Sequence, residues 1–370
     1  MRRSCLPFPS IPLMLAVISA PLAAQGPAPG PDRHIDAATR TQVIDGVLKQ
    51  LNDAYVFPDK AKAMELAVRG RVKRGEYDRI TSAHGLADSL TAHLQAVSHD
   101  KHLRVRYSDR PVSDEPLDAE PSAEQAREAE TFGRTVNFGI ERAERLPGNV
   151  GYLEIRSFGF SAKMADAAVA AAMNLIGNTD ALIIDVRRNG GGDPEMVALV
   201  CSYLLGPGEI LINKFYWRPQ DRWDESRTKA TVSGRHYGAA KPVYVLTSDH
   251  TFSGAEEFAY DVQTQKRGEI VGDTTGGGAH PGGMRRVTEH FGVWVPAGRA
   301  VNPITNTNWE GTGVRPDVPV KSDDALRTAH IRALEKLLAG ATGEEKERLQ
   351  GALERVRKGT VTFPAARTAP

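Results

Sequence analysis

The chain has 370 residues, 41% of them hydrophobic and 25% charged, with a net charge of +1. That length and balance suit a large apolar core and two domains. They exclude the basic field that phosphate-backbone binding needs, so no nucleic-acid partner is expected.

Arg2 and Arg3 precede an apolar run over residues 11 to 22, followed by the small-residue stretch LAAQG. This is the pattern of a signal peptide (1–24) cut after Ala24, which predicts an exported chain, periplasmic or secreted. The run is short and broken by proline, so it does not span a bilayer, and no second such run follows. Cys5 precedes the run and is lost with it. Cys201 then remains alone, so no intramolecular disulfide forms, and its place in MVALVCSYLL predicts a buried small hydrophobe.

Residues 25–36 read as a linker. Residues 37–107 have helical periodicity, punctuated at Pro58 and between Gly70 and Gly75, and end in HLRVRY (102–107). That alternation predicts a strand with His102, Arg104 and Arg106 on one face. Residues 108–130, acidic and proline-rich, read as a connector. From 131 to 322 the texture is α/β. VGYLEIRSF is a strand, and ADAAVAAAMNLIG is a helix stopped by a left-handed Gly177. ALIIDVR is a buried strand, and Asp193 with Pro194 starts a helix. VYVLTS is a strand, a helix opens at Ser253, and EIVGDT is a strand. This spacing predicts βαβ units with parallel pairing. Residues 287–301 suggest a hairpin. Residues 323–370 hold two amphipathic helices and a tail.

In such folds sites gather where parallel strands end. Two loops qualify, RNGGGDP after ALIIDVR and SDHTFSG after VYVLTS. Both lead into helix N-termini with free amides. The triple glycine admits close backbone approach, and with the Gly254 amide it supplies material for an oxyanion hole. NGGGDP lacks the lysine and hydroxyl of a phosphate loop. GDTTGGGAHPGG (272–283) reads as a turn or flap. Ser253-x-x-Glu256 is also a capping box, so Ser253 is either a nucleophile or a cap.

A serine nucleophile needs a base. No lysine lies between Lys266 and Lys321. His102, preceded by Asp100, is one candidate, with His99, His250 and His280 as competitors. Glu310, Glu256 and Glu257 are the carboxylates that could orient a base. No His, Cys, Asp or Glu group has metal spacing, neither H-E-x-x-H nor G-x-S-x-G occurs, and no metal or cofactor is expected.

VGYLEI, ALIIDVRRNGGG, TFSGAEEFAYDVQ, IVGDTTGGGAHPG and EGTGVRPDV, in this order, resemble the C-terminal processing, or tail-specific, serine peptidases. The nearer likeness is to the branch of tricorn protease and the modules of interphotoreceptor retinoid-binding protein. It covers roughly residues 40 to 322. The resemblance implies a crotonase-like (ClpP/crotonase) α/β core behind a small helical subdomain. It implies Ser253 as nucleophile, with the Gly254 amide and an amide of Gly190 or Gly191 as the oxyanion hole. His102 would be the base, Glu310 its distal glutamate, and Glu256 a glutamate beside the nucleophile. The substrate would be a peptide or protein. Two departures stand out. The loop that carries a lysine in the processing branch reads GGGAH here. Lys101 stands where tricorn has a serine before its histidine, which weakens the tie between His102 and Glu310. Residues 108–149 are too few for a PDZ domain. The alternative that the resemblance carries is a non-catalytic binding module for an apolar small ligand.

Overall fold

The computed structural model describes residues 30–114 and 121–361. The expected signal peptide lies outside the described residues, as do 115–120 and 362–370.

Three helices open the chain, α1 (Ala37–Ala54), α2 (Pro58–Lys73) and α3 (Ala83–Ser98). Asp36 and Ser82 cap α1 and α3 by accepting the Thr39 and Gly85 N–H groups. Val43, Val47, Leu51, Leu86, Leu90 and Leu94 recur at helical spacing and are buried together. Strand β1 (Arg104–Tyr107) follows. Leu103 and Val105 are buried and Arg104 and Arg106 exposed, as the alternation predicts. His102 itself sits in the turn before the strand rather than on its face.

The stretch read as an unstructured connector holds a helix, α4 (Ala123–Thr135). A capping box starts it: Gln125 N–H donates to Ser122 Oγ, and Ser122 N–H to Gln125 Oε1. Almost all of α4 is exposed, which is why its sequence lacks an apolar stripe.

Next come β2 (Ile140–Leu146), β3 (Val150–Ile155), α5 (Ala162–Ile176), β4 (Ala181–Asp185) and α6 (Pro194–Leu205). Then follow β5 (Leu211–Trp217), β6 (Arg222–Arg227), β7 (Val243–Thr247), α7 (Gly254–Thr264) and β8 (Glu269–Gly272). The main sheet has the order β12-β8-β7-β4-β3-β2, with β12 at Val318–Pro319. Only the β2–β3 pair is antiparallel. β3, β4 and β7 are buried on both faces, as parallel strands covered by helices must be. Leu182, Ile184, Val243 and Val245 face the core under α5, α6 and α7, where Cys201 is wholly buried. Ala181, Ile183, Tyr244 and Leu246 face α8 (Ser322–Leu338) and α9 (Gly343–Arg357). Gly177 does not take the left-handed stop expected of it: its φ is −59°. The chain leaves α5 in right-handed turns, and Lys241 Nζ donates to the Gly177 carbonyl at 2.9 Å, covering the helix end instead.

The hairpin lies earlier than its sequence suggests, as β9 (Gly282–Arg286) and β10 (Phe291–Pro296). β11 (Gly298–Val301) leaves it to pair with β5. β10 pairs on its other side with β1, Arg104 opposite Trp294. Phe291, Val293 and Val295 thereby enter the core of α1, α2 and α3. The turn carrying His102 is thus held against the α/β core by a strand from far along the chain. Among the described residues no helix is long and apolar enough to cross a membrane.

Candidate active site

β4, β7 and β8 are neighbours, so the loops at their carboxyl ends emerge side by side. The first is the glycine loop after β4, the second carries Ser253, and the third is residues 273–281.

Ser253 precedes the first residue of α7 with φ 54° and ψ −123°. L-residues with a Cβ rarely occupy such a conformation, and holding one there costs on the order of 1–3 kcal/mol. Hydrogen bonds on both sides hold it. Phe252 N–H donates to the Asn189 carbonyl at 3.1 Å, and Ser253 N–H donates to Glu256 Oε2 at 2.9 Å. The Glu256 half of the capping box is therefore present. The Glu256 N–H donates to the Ser253 carbonyl at 2.9 Å, with the Ser253 hydroxyl beside it.

The glycine loop lies directly on the serine. Gly191 has φ 102°, and a Cβ there would stand 2.6 Å from the Gly254 nitrogen and 2.7 Å from Ser253 Cβ. At Gly190, by contrast, a Cβ would meet nothing within 4 Å. The Gly191 amide, one of the expected oxyanion donors, already donates to Asn189 Oδ1 at 2.8 Å. The Gly190, Gly192 and Gly254 amides have no acceptor among the described residues. Asn189 was not anticipated. It is fully buried, its Nδ2 donates to the Ile155 carbonyl, and its own carbonyl holds Phe252, so it ties both loops to β3.

Glu256 is fully buried and its carboxylate accepts four hydrogen bonds. Oε1 takes the Thr275 hydroxyl and the Gly277 N–H, and Oε2 takes the Gly278 and Ser253 N–H groups. With its lone pairs so occupied it is a clamp between α7 and the third loop, not a base. Burial still raises its pKa against the pull of those donors. Glu257, on the same helix, turns the other way, towards the buried Asp261, and burial raises the pKa of both.

The histidines separate clearly. His99 is an exposed helix end and His250 an exposed partner of Asp249. His102 and His280 are the two brought to the site. The His102 ring packs against Phe252, the residue before Ser253, with centroids 4.5 Å apart. A Cβ on Gly278 would come within 2.7 Å of His102 Cε1. Burial pushes the His102 pKa down to about 4, with Asp100 pulling the other way. Its Nδ1 is buried and has no hydrogen-bond partner. Lys101, where tricorn has a serine, turns away and donates from Nζ to the Gly276 carbonyl at 2.6 Å.

Glu310 accepts the Ala279 N–H at 2.6 Å, and its Oε2 lies 3.4 Å from His280 Nδ1. Its pKa rises to about 7, first through burial and then through Asp100, with His280 and the Ala279 N–H opposing. Asp100, His102 and Glu310 each place one donor atom within 4.8 Å of the other two, a grouping that sequence spacing did not reveal. The carboxylate oxygens there accept from Ala279, Tyr55 and His280.

The model of peptidase family S41 matches residues 149–320, and that of the N-terminal domain of peptidase S41 in eukaryotic IRBP matches residues 37–139. The chain belongs to peptidase family S41. It is 26% identical over 195 residues to a curated Arabidopsis thaliana protein, carboxyl-terminal-processing peptidase 2, chloroplastic. That alignment covers 50% of this chain and 36% of the relative, so the chain spans about a third of that protein's length. A solved putative peptidase from Parabacteroides merdae superposes with a TM-score of 0.54 at 18% identity, over 82% of this chain and 99% of the other. A lipoprotein from Streptococcus agalactiae gives 0.54 at 13% identity, over 80% and 96%. These likenesses show the same mixed α/β fold with a helical N-terminal part.

Proposed function

We propose that the protein is an exported serine peptidase with a crotonase-like core. Ser253 Oγ attacks the carbonyl carbon of the scissile bond while His102 takes the Oγ proton. The Gly254 amide, with Gly190 or Gly192 across from it, donates to the oxyanion. His102 then passes its proton to the leaving amine, which departs with the C–N bond. A water, deprotonated by the same histidine, releases the acyl group and restores the serine. Burial keeps His102 neutral at neutral pH, the state a base must start in. Glu256 positions the Ser253 amide, and Glu310 faces the base from the far side.

One observation carries this reading. Ser253 holds a costly positive-φ conformation directly against a glycine loop. A helix cap alone needs no such backbone. The basic n-region and apolar run ahead of residue 25 support export. The substrate class supported is a peptide or protein tail.

The test is labelling of the mature protein with a fluorophosphonate, with the modified residue mapped by mass spectrometry. Labelling at Ser253 that drops sharply in His102→Ala is the expected result. A folded protein that does not label would return Ser253 to helix capping and favour the apolar-ligand carrier instead.

A further inference from the structure

Behind His102 lies an arrangement that neither the family resemblance nor the sequence assigns. Asp100 is 1% exposed and its carboxylate accepts three hydrogen bonds. Oδ1 takes the backbone N–H of His102 at 3.0 Å. Oδ2 takes the Tyr55 hydroxyl at 3.2 Å and His280 Nδ1–H at 2.8 Å. Because His280 Nδ1 faces only the oxygens of Asp100 and Glu310, it must carry the proton. His280 is itself 5% exposed and stacked edge-on against Phe57, so its ring has one orientation. The result is a buried row, Tyr55–Asp100–His280–Glu310, gathered from four separate segments and ending at the turn that bears His102.

We propose that Asp100 and His280 are the positioning pair for the His102 base, in place of a hydroxyl relay before the histidine. The inference rests on the reading of His102 as the base. Asp100 fixes the backbone of His102 directly and sets a negative charge beside the ring. His280 holds that carboxylate in place and links it to Glu310. The relay position is taken by Lys101, whose amine is engaged with the Gly276 carbonyl. Glu310 Oε2 accepts the Ala279 N–H and lies 3.4 Å from His280 Nδ1, so both of these hold it in place. The charged and titratable groups facing His102 are Asp100 in its own turn, Arg104 at the start of β1, His280 in the loop after β8, and Glu310 before β12. Asp100 raises the basicity of His102, whereas His280 and Arg104 lower it.

The experiment measures fluorophosphonate inactivation across pH, separating the limiting rate from the probe's affinity. Asp100→Asn should lower the limiting rate by about ten- to a hundredfold, a fraction of what a general base contributes. Probe affinity should change little, and the acidic limb should move to lower pH. His280→Asn, which keeps a donor near the Nδ1 position, should retain most of the rate and move the limb to higher pH. His280→Ala should lose the rate that the asparagine keeps. Should Asp100→Asn not fold, the His280 pair still decides. Folded variants with wild-type rates and limbs would overturn the proposal. If wild-type protein does not label at Ser253, the peptidase reading fails first and the positioning role falls with it; labelling with unmoved limbs sinks the positioning role alone.

Discussion

The proposed nucleophile and the proposed base are built in opposite ways. The nucleophile half comes from adjacent strand ends of one parallel sheet, with Ser253, Gly254, Glu256 and the glycine loop each a few residues beyond a buried strand. Backbone geometry and glycines hold it. The base half, His102 with Asp100, His280 and Glu310, is drawn from segments up to 180 residues or more apart and held by buried side-chain hydrogen bonds. The first half is rigid through sterics and the second through charge. Substitutions should therefore fail differently in the two, the first by clash and the second by pH.

The sharpest break is Ser253→Ala. It should abolish hydrolysis and labelling, a loss of at least about a thousandfold, while the melting temperature stays within a few degrees because the Glu256 N–H keeps the Ser253 carbonyl as its acceptor. A large melting shift with activity kept would mean that the serine serves the helix. Next is a contrast within one loop. Gly191→Ala forces a Cβ into Ser253 and Gly254 at positive φ, and should cost about 2 kcal/mol or more and roughly a hundredfold in turnover. Gly190→Ala meets open space and should leave stability within about 0.5 kcal/mol. Equal effects on melting temperature would contradict this account of the loop.

Glu256→Gln leaves a buried amide facing N–H donors. It should destabilise by about 1–3 kcal/mol and loosen residues 275–278, which hydrogen exchange would detect. Unchanged protection there would remove the clamp. The smallest effect concerns pH. Glu310, raised to about 7 from 4.5, holds a proton that the unfolded chain sheds, so its contribution to stability falls as pH rises through that window. His102, lowered to about 4 from 6.5, refuses a proton that the unfolded chain takes, so stability is lost as pH falls through that range. The two slopes oppose between 4.5 and 6.5. Glu310→Gln should unmask the His102 slope, giving a melting temperature that climbs more steeply with pH there. An unchanged curve would show that the two groups do not offset one another.

The same asymmetry decided what the sequence could reveal. The parallel strands, their helices and the loop carrying Ser253 are written locally, as runs of β-branched residues, a cap and glycines. His102 and Glu310 could be singled out only by resemblance, because nothing near them in sequence marks their meeting. Asp100 and His280 were visible as residues but not as a pair. α4 was hidden because a solvated helix needs no apolar face. β5 was missed because its apolar residues do not alternate strictly, and β6 because it is mostly charged. Gly177 misled because a lysine from elsewhere, not a left-handed turn, closes its helix.

β1 has as its partner a strand some 190 residues further on, Arg104 opposite Trp294. While the chain is being made, the helical segment must therefore wait for β10, which ends at Pro296, before its own core can close. Contacts of such long separation form late. The histidine turn can settle against the serine loop only after residues 282 to 296 have left the ribosome. A nascent copy thus holds the two halves of the proposed site apart until that stretch has emerged.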